Sequence, residues 1–95
     1  MQTYKIAHLR EQGIDLIIIP VDSTFGMKTI HEQNIIVRNL QSCATSSGLE
    51  GTVVPVWDSG GGRMSFLAPQ RWHSYFSSIT LEFVYMNINR QITCY

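Results

Sequence analysis

Short apolar runs alternate along this chain with polar breaks marked by glycine or proline. "YKIAHL" (4–9) and "DLIIIPV" (15–21) are rich in β-forming residues, and Arg10-Glu11-Gln12-Gly13 separates them. That pattern predicts a strand, a short turn and a second strand, paired as a hairpin. The second run is apolar at successive positions, as in a central strand covered on both faces. Pro20 belongs near its end, because proline cannot donate to a ladder.

"DSTFGMKT" reads as a loop, and Thr29-Ile30-His31-Glu32 then supplies a capping box. The helix it opens carries Ile36, Leu40, Cys43, Ala44 and Ser47 at three- and four-residue spacing. Gly48 followed by Leu49 is a stop signal, glycine taking the left-handed conformation and leucine closing the contact. These signals place a helix over residues 30–47.

"GTVVPVW" predicts a third strand and "RMSFLAP" a fourth, with Asp58-Ser59-Gly60-Gly61-Gly62 between them. A phosphate loop of the familiar kinds runs from a strand through glycines into a helix whose first amides face the anion. Here the glycines run into a β-rich stretch, so they read first as a hairpin turn. A ligand loop is the alternative.

Beyond Pro69, which suits a helix start, Trp72, Phe76, Ile79, Phe83 and Met86 recur in steps of four and three. This stripe predicts a helix over about 70–87. "ITLEFVYMN" is also β-branched and aromatic, which keeps a short helix followed by a strand hairpin as the alternative. "QITCY" closes the chain as a strand. The whole, residues 1–95, reads as a single α+β domain: a two-layer sandwich with one mixed or antiparallel sheet and two helices packed on it. Without the first strand, the element order is that of ferredoxin-like folds.

Composition narrows the function classes. The chain is 44% hydrophobic and 11% aromatic, enough for an ordered core, whereas only 15% is charged. A surface so poor in charge predicts cover by another subunit, so a homodimer is expected. Seven basic and seven acidic side chains cancel. The basic ones are spread without a run, which argues against nucleic-acid binding. "LIIIPV" is too short to span a bilayer, and "MQTYKIAHLREQG" has no secretory h-region. Cys43 and Cys94 make neither a metal spacing nor a disulfide framework, so a reduced cytoplasm is expected. Cys43, on the apolar stripe, reads as a core residue.

One internal echo locates a candidate site. "IIIPVDS" (17–23) and "VVPVWDS" (53–59) each run from an apolar strand through proline to Asp-Ser. A right-handed crossover through the 30–47 helix makes these strands parallel and sends Asp22 and Asp58 to one sheet border. Ligands gather beyond the carboxyl ends of such strands. Ser23, Lys28, Ser59, Gly60, Gly61, Gly62 and Arg63 fall near the same rim, with His73 as a further candidate. Aspartate and serine after a strand are also ordinary turn formers. Neither His8, His31 nor His73 lies at metal spacing to another ligand, so no metal is expected, and no cofactor. "SYFSSITLEFVYMN" holds only Glu82 as a charge and reads as core or as a protein interface.

"AHLREQGIDLIIIPVDSTFG", "GTVVPVWDSGGGRM" and "APQRWH" together resemble uncharacterised small bacterial proteins of mobile elements, such as integron gene cassettes. The resemblance implies a bacterial cytosolic setting and an α+β fold, and brings no catalytic residues. The expected function is a small binding or interaction module with a small-molecule or anion site at the Asp22/Asp58 rim. Two alternatives stand beside it. One is a small enzyme using that rim, with Asp22 or Asp58 as base and Arg63 or His73 polarising the substrate. The other is a regulatory protein that binds another protein.

Overall fold

The computed structural model describes residues 2–94; Met1 and Tyr95, the last residue of "QITCY", lie outside the described residues. Gln12 and Gly13 both hold positive φ, 53° and 77°. A two-residue turn of that kind matches strand twist, and it folds β1 (Gln2–Glu11) back on β2 (Ile14–Pro20). A 3-10 turn (Ser23–Met27) leads to α1 (Ile30–Ser46). There the Thr29 hydroxyl accepts from the Glu32 N–H, and Glu32 accepts from the Thr29 N–H. Gly48 at φ 85° and the Leu49 N–H bonded to the Ala44 carbonyl end the helix.

β3 (Thr52–Asp58) and β4 (Met64–Phe66) follow, then a second 3-10 turn (Gln70–Trp72), α2 (His73–Ser77), α3 (Leu81–Met86) and β5 (Arg90–Cys94). The result is an α+β domain with one mixed five-stranded sheet, order β4-β3-β2-β1-β5. Among the described residues β2 and β3 pair in parallel and the other neighbours are antiparallel.

Side chains alternate across a strand, and both faces of the central strands β2 and β3 are covered. Ile17, Ile19 and Val53 meet Leu40 and Ala44 of α1 on one side. Leu16, Ile18, Val54 and Val56 meet Trp72, Phe76, Leu81 and Val84 on the other. Burying a side chain such as Ile17 or Ile18 contributes about 1.5–3 kcal/mol relative to exposure, which explains why β2 is apolar at every position from Leu16 to Pro20. The expected two-layer arrangement therefore gains a third layer, because α1 and the α2–α3 segment cover opposite faces. Without β1 the elements do follow one another along the chain in the ferredoxin-like order, but the sheet is arranged differently. The α1 crossover returns to the adjacent strand, and β1 lies between β2 and β5.

The single helix expected over 70–87 is interrupted at Ser78–Thr80. Ser78 Oγ donates to the Tyr75 carbonyl, and Thr80 starts α3 afresh by accepting from the Phe83 N–H. Hydroxyl side chains that bond nearby backbone compete with continued helix. The interruption resets the phase. Leu81 and Val84 become core, while Phe83 and Met86, assigned to the inner stripe by their spacing, are exposed.

Cys43 and Cys94 are joined in a disulfide across 51 residues, with Cα atoms 5.8 Å apart. Two unpaired cysteines were expected, and the pairing comes from topology. β5 pairs with the start of β1 and packs beside α1, bringing its last residue to the helix face that carries Cys43. Among the described residues, no helix is long and apolar enough to cross a membrane.

Candidate functional site

β2 and β3 run side by side in the same direction, with Ile18 opposite Val54 and Pro20 opposite Val56. The Val21 N–H donates to the Val56 carbonyl at 2.8 Å, extending the pairing to the border. Asp22 and Asp58 thus leave the sheet on one edge. The start of β1 reaches the same edge, because β1 is antiparallel to β2.

Both aspartates organise backbone there. Asp22 Oδ1 accepts from the Thr24 N–H at 2.9 Å and caps the first 3-10 turn. That bond holds its carboxyl below the usual carboxylate value, since hydrogen bonds to the charged form favour it. Asp58 Oδ1 accepts from the N–H groups of Gly60 and Gly62 at 2.7 and 3.2 Å. The Ser59 N–H and hydroxyl both donate to the Arg63 carbonyl. Gly60, Gly61 and Gly62 all hold positive φ. The loop is a hairpin connection into β4, and two of its amides are occupied by its own aspartate.

Two depressions open on this border. The larger, about 870 Å³, is a cleft between the start of β1 and the segment that follows β2. Its origin lies in Pro20. β1 pairs with β2 over residues 7–11 and with β5 over residues 2–6. Asn89 bonds the Ile6 carbonyl and the His8 backbone from the β5 side. Backbone groups alternate in direction along an antiparallel strand, so Lys5 and Ala7 turn theirs towards β2. The position of β2 next beyond Ile18 that faces β1 is Pro20, which has no N–H. The Lys5 carbonyl loses its ladder donor, pairing ends at Ala7–Ile18, and both segments line the cleft.

The second depression, about 610 Å³, is lined by Ser23, Trp57, Asp58, Ser59, Gly60 and Gly61. Phe25, which lines the first cleft, packs on Trp57, which lines the second, with ring centroids 4.8 Å apart. That aromatic pair is the partition between them.

The ten sequence candidates therefore fall into groups. Asp22 and Lys28 face the β1–β2 cleft. Ser23, Asp58, Ser59, Gly60 and Gly61 face its neighbour. Gly62 and Arg63 line a smaller hollow beside Phe66 and Phe76. His73 stands away from the rim. Its Nε2 donates to the Ala68 carbonyl at 2.9 Å, and its ring meets Phe66 edge-on. His8 likewise donates through Nε2 to the Glu50 carbonyl at 2.7 Å. Tyr4, Lys5, Phe25 and Tyr85 of the cleft were not among the candidates. Their one signal was Pro20, whose missing N–H faces β1 only when the pairing register is known.

Among the described residues, no group of three or more His, Cys, Asp or Glu gathers closely enough to hold a metal ion. No protein family model, curated protein or solved structure matches this chain.

Proposed function

We propose that this chain is a small binding module that holds a small molecule at the rim of its sheet, in the cleft between β1 and β2. The observation that carries this is the parting of the two strands beyond Ala7 and Ile18, which leaves ligand-sized room where a ladder would otherwise close. Small-molecule sites commonly measure roughly 300–1,000 Å³ and mix apolar walls with a few polar groups. The cleft offers Phe25, Tyr85 and Ile36 as such walls, with Asp22, Lys5 and Lys28 beside them. Its floor is preorganised, because Phe25 is buried against Trp57 and Asp22 is tied to Thr24.

Binding is favoured over the enzymatic alternative. A general base works best with a pKa near the operating pH, and Asp22 is shifted the other way. A fragment screen by two-dimensional amide NMR tests the reading. Bound fragments are expected to perturb Lys5, Phe25, Lys28 and Tyr85 together. Hits that cluster elsewhere, for instance around Arg63 and Phe76, overturn it.

A second reading concerns partners. Phe83, Tyr85 and Met86 of α3 are exposed, Met86 at 78%. Apolar side chains grouped on a short helix favour self-association through that face, giving a homodimer. Sedimentation of the wild type against Met86→Lys reads this directly, a dimer that becomes a monomer supporting it. The closed Cys43–Cys94 bond favours an oxidising compartment over the reduced cytoplasm expected from the sequence.

A further inference from the structure

We infer that the β1–β2 cleft selects a small organic monoanion with a flat apolar body and one hydrogen-bond donor, an aromatic carboxylate being the simplest member of that class. The inference rests on the cleft being the ligand site and adds what it selects.

Charge comes first. Lys5 and Lys28 line the cleft from opposite segments, and neither is in an ion pair among the described residues. Asp22 is the acid lining the same space. Its Oδ1 is engaged by Thr24. Glu32, whose charge is felt by Lys28, is held at the helix start by the Thr29 N–H and hydroxyl. Among the residues that line the cleft, two ammonium groups stand against the Asp22 carboxylate, with Glu32 outside the lining, so one positive charge faces the space and one ligand carboxylate complements it.

Shape and polarity follow. The buried Phe25 ring and the half-exposed Tyr85 ring, with Ile36 and Ile88, give an apolar wall suited to a planar body. The Lys5 carbonyl, left without a ladder donor by Pro20, is free to accept from a ligand N–H or O–H in place of water. No one of these groups defines a ligand. Their convergence in one cleft does.

Three probes of equal shape separate the terms: indole-3-carboxylate, the neutral indole-3-carboxamide, and the cationic 3-(aminomethyl)indole. Each is titrated to about 5 mM, the affinity range of fragments, while amide shifts of the full chain are followed by NMR. The carboxylate is expected to bind at Lys5, Phe25, Lys28 and Tyr85, at least about fivefold more tightly than the carboxamide, the scale of one or two exposed ion pairs. Lys5→Gln and Lys28→Gln, both at exposed positions, are expected to bring carboxylate binding down to the level of the carboxamide measured on the same variant, and a preference that survives in both overturns the anion selectivity. Equal or tighter binding of the amide or the cation at the same residues overturns the anion selectivity and leaves the cleft as a site. If all three probes leave the cleft amides unmoved, the inference and the reading beneath it both fall.

Discussion

The ring of Phe25 lies on that of Trp57, centroids 4.8 Å apart and planes tilted by 56°, and Gly26 passes beside them. A Cβ at residue 26 would sit 2.5 Å from Trp57 Nε1. Trp57 is buried, so its ring has little room to yield. Gly26→Ala is therefore expected to destabilise the fold by about 1–3 kcal/mol, the usual cost of overpacking. Urea unfolding followed by tryptophan fluorescence measures it. A loss below about 0.5 kcal/mol, the ordinary range for a surface change, would mean that the partition between the two depressions is loose.

Pro20 explains the cleft, and its replacement tests that explanation. Pro20→Ala restores an N–H facing the Lys5 carbonyl. The new hydrogen bond contributes about 0.5–1.5 kcal/mol. Losing proline's restraint on the unfolded chain costs about 0.4–1 kcal/mol. Stability should therefore stay within about 1 kcal/mol of the wild type while the ladder extends and the cleft narrows. Slower amide exchange at the β1–β2 border, with weaker fragment binding, is the expected pair of results. Unchanged binding with a longer ladder would contradict the account.

The disulfide closes a long loop between α1 and the edge strand β5. By the loop-entropy relation, a bond spanning 51 residues stabilises by about 4 kcal/mol. Reduction, or Cys43→Ser with Cys94→Ser, is expected to lower the thermal midpoint by many degrees. Amide exchange should rise first in β5 and the adjoining half of β1. Intact mass should increase by two hydrogens on reduction of the wild type and stay constant for the double variant.

Acid and base should act on different groups. The pKa values of Asp22 and Glu32 are lowered in the folded state by bonds from Thr24 and Thr29, from ordinary values of 3.8 and 4.5. Their contribution is present above those ordinary values and disappears as pH falls through the lowered ones. Tyr75 is shifted in the opposite sense, raised from 10.0 by burial and by the nearby Glu11 charge. Its contribution is intact below pH 10.0 and is lost as pH rises through the raised value. The Tyr75 hydroxyl is also buried without a hydrogen-bond partner among the described residues. Tyr75→Phe should therefore flatten the alkaline limb and leave neutral-pH stability equal or up to about 1 kcal/mol higher. Denaturant midpoints across the pH range check both limbs, and a steeper alkaline loss in the variant would contradict the assignment.

What the chain made legible were features whose cause is local. The Thr29–Glu32 box and the Gly48-Leu49 stop each act within a few residues and lie where their signals put them, while the turn expected over Arg10–Gly13 narrows to Gln12-Gly13 because β1 runs on through Glu11. The repeated Pro-Val…Asp-Ser ending disclosed the parallel pair, because one crossover helix of ordinary length separates the copies. The features that escaped depend on distant chain segments. Phe83 and Met86 continued the stripe of Trp72 and Phe76 on paper, yet Ser78 and Thr80 bond the backbone and reset the phase. Cys43 and Cys94 meet only because β5 lands next to β1. The part of the cleft that comes from Tyr4, Lys5 and Tyr85 belongs to segments that no sequence neighbour connects to Asp22.

Ligand recognition by this chain requires a molecule to lodge where the first two strands separate. Intermolecular nuclear Overhauser contacts from bound indole-3-carboxylate are the most direct measurement. Contacts from its ring protons to Phe25, Tyr85 and Ile88 are the result this account predicts. Contacts confined to residues outside that gap, such as Phe66 or Leu67, would contradict it.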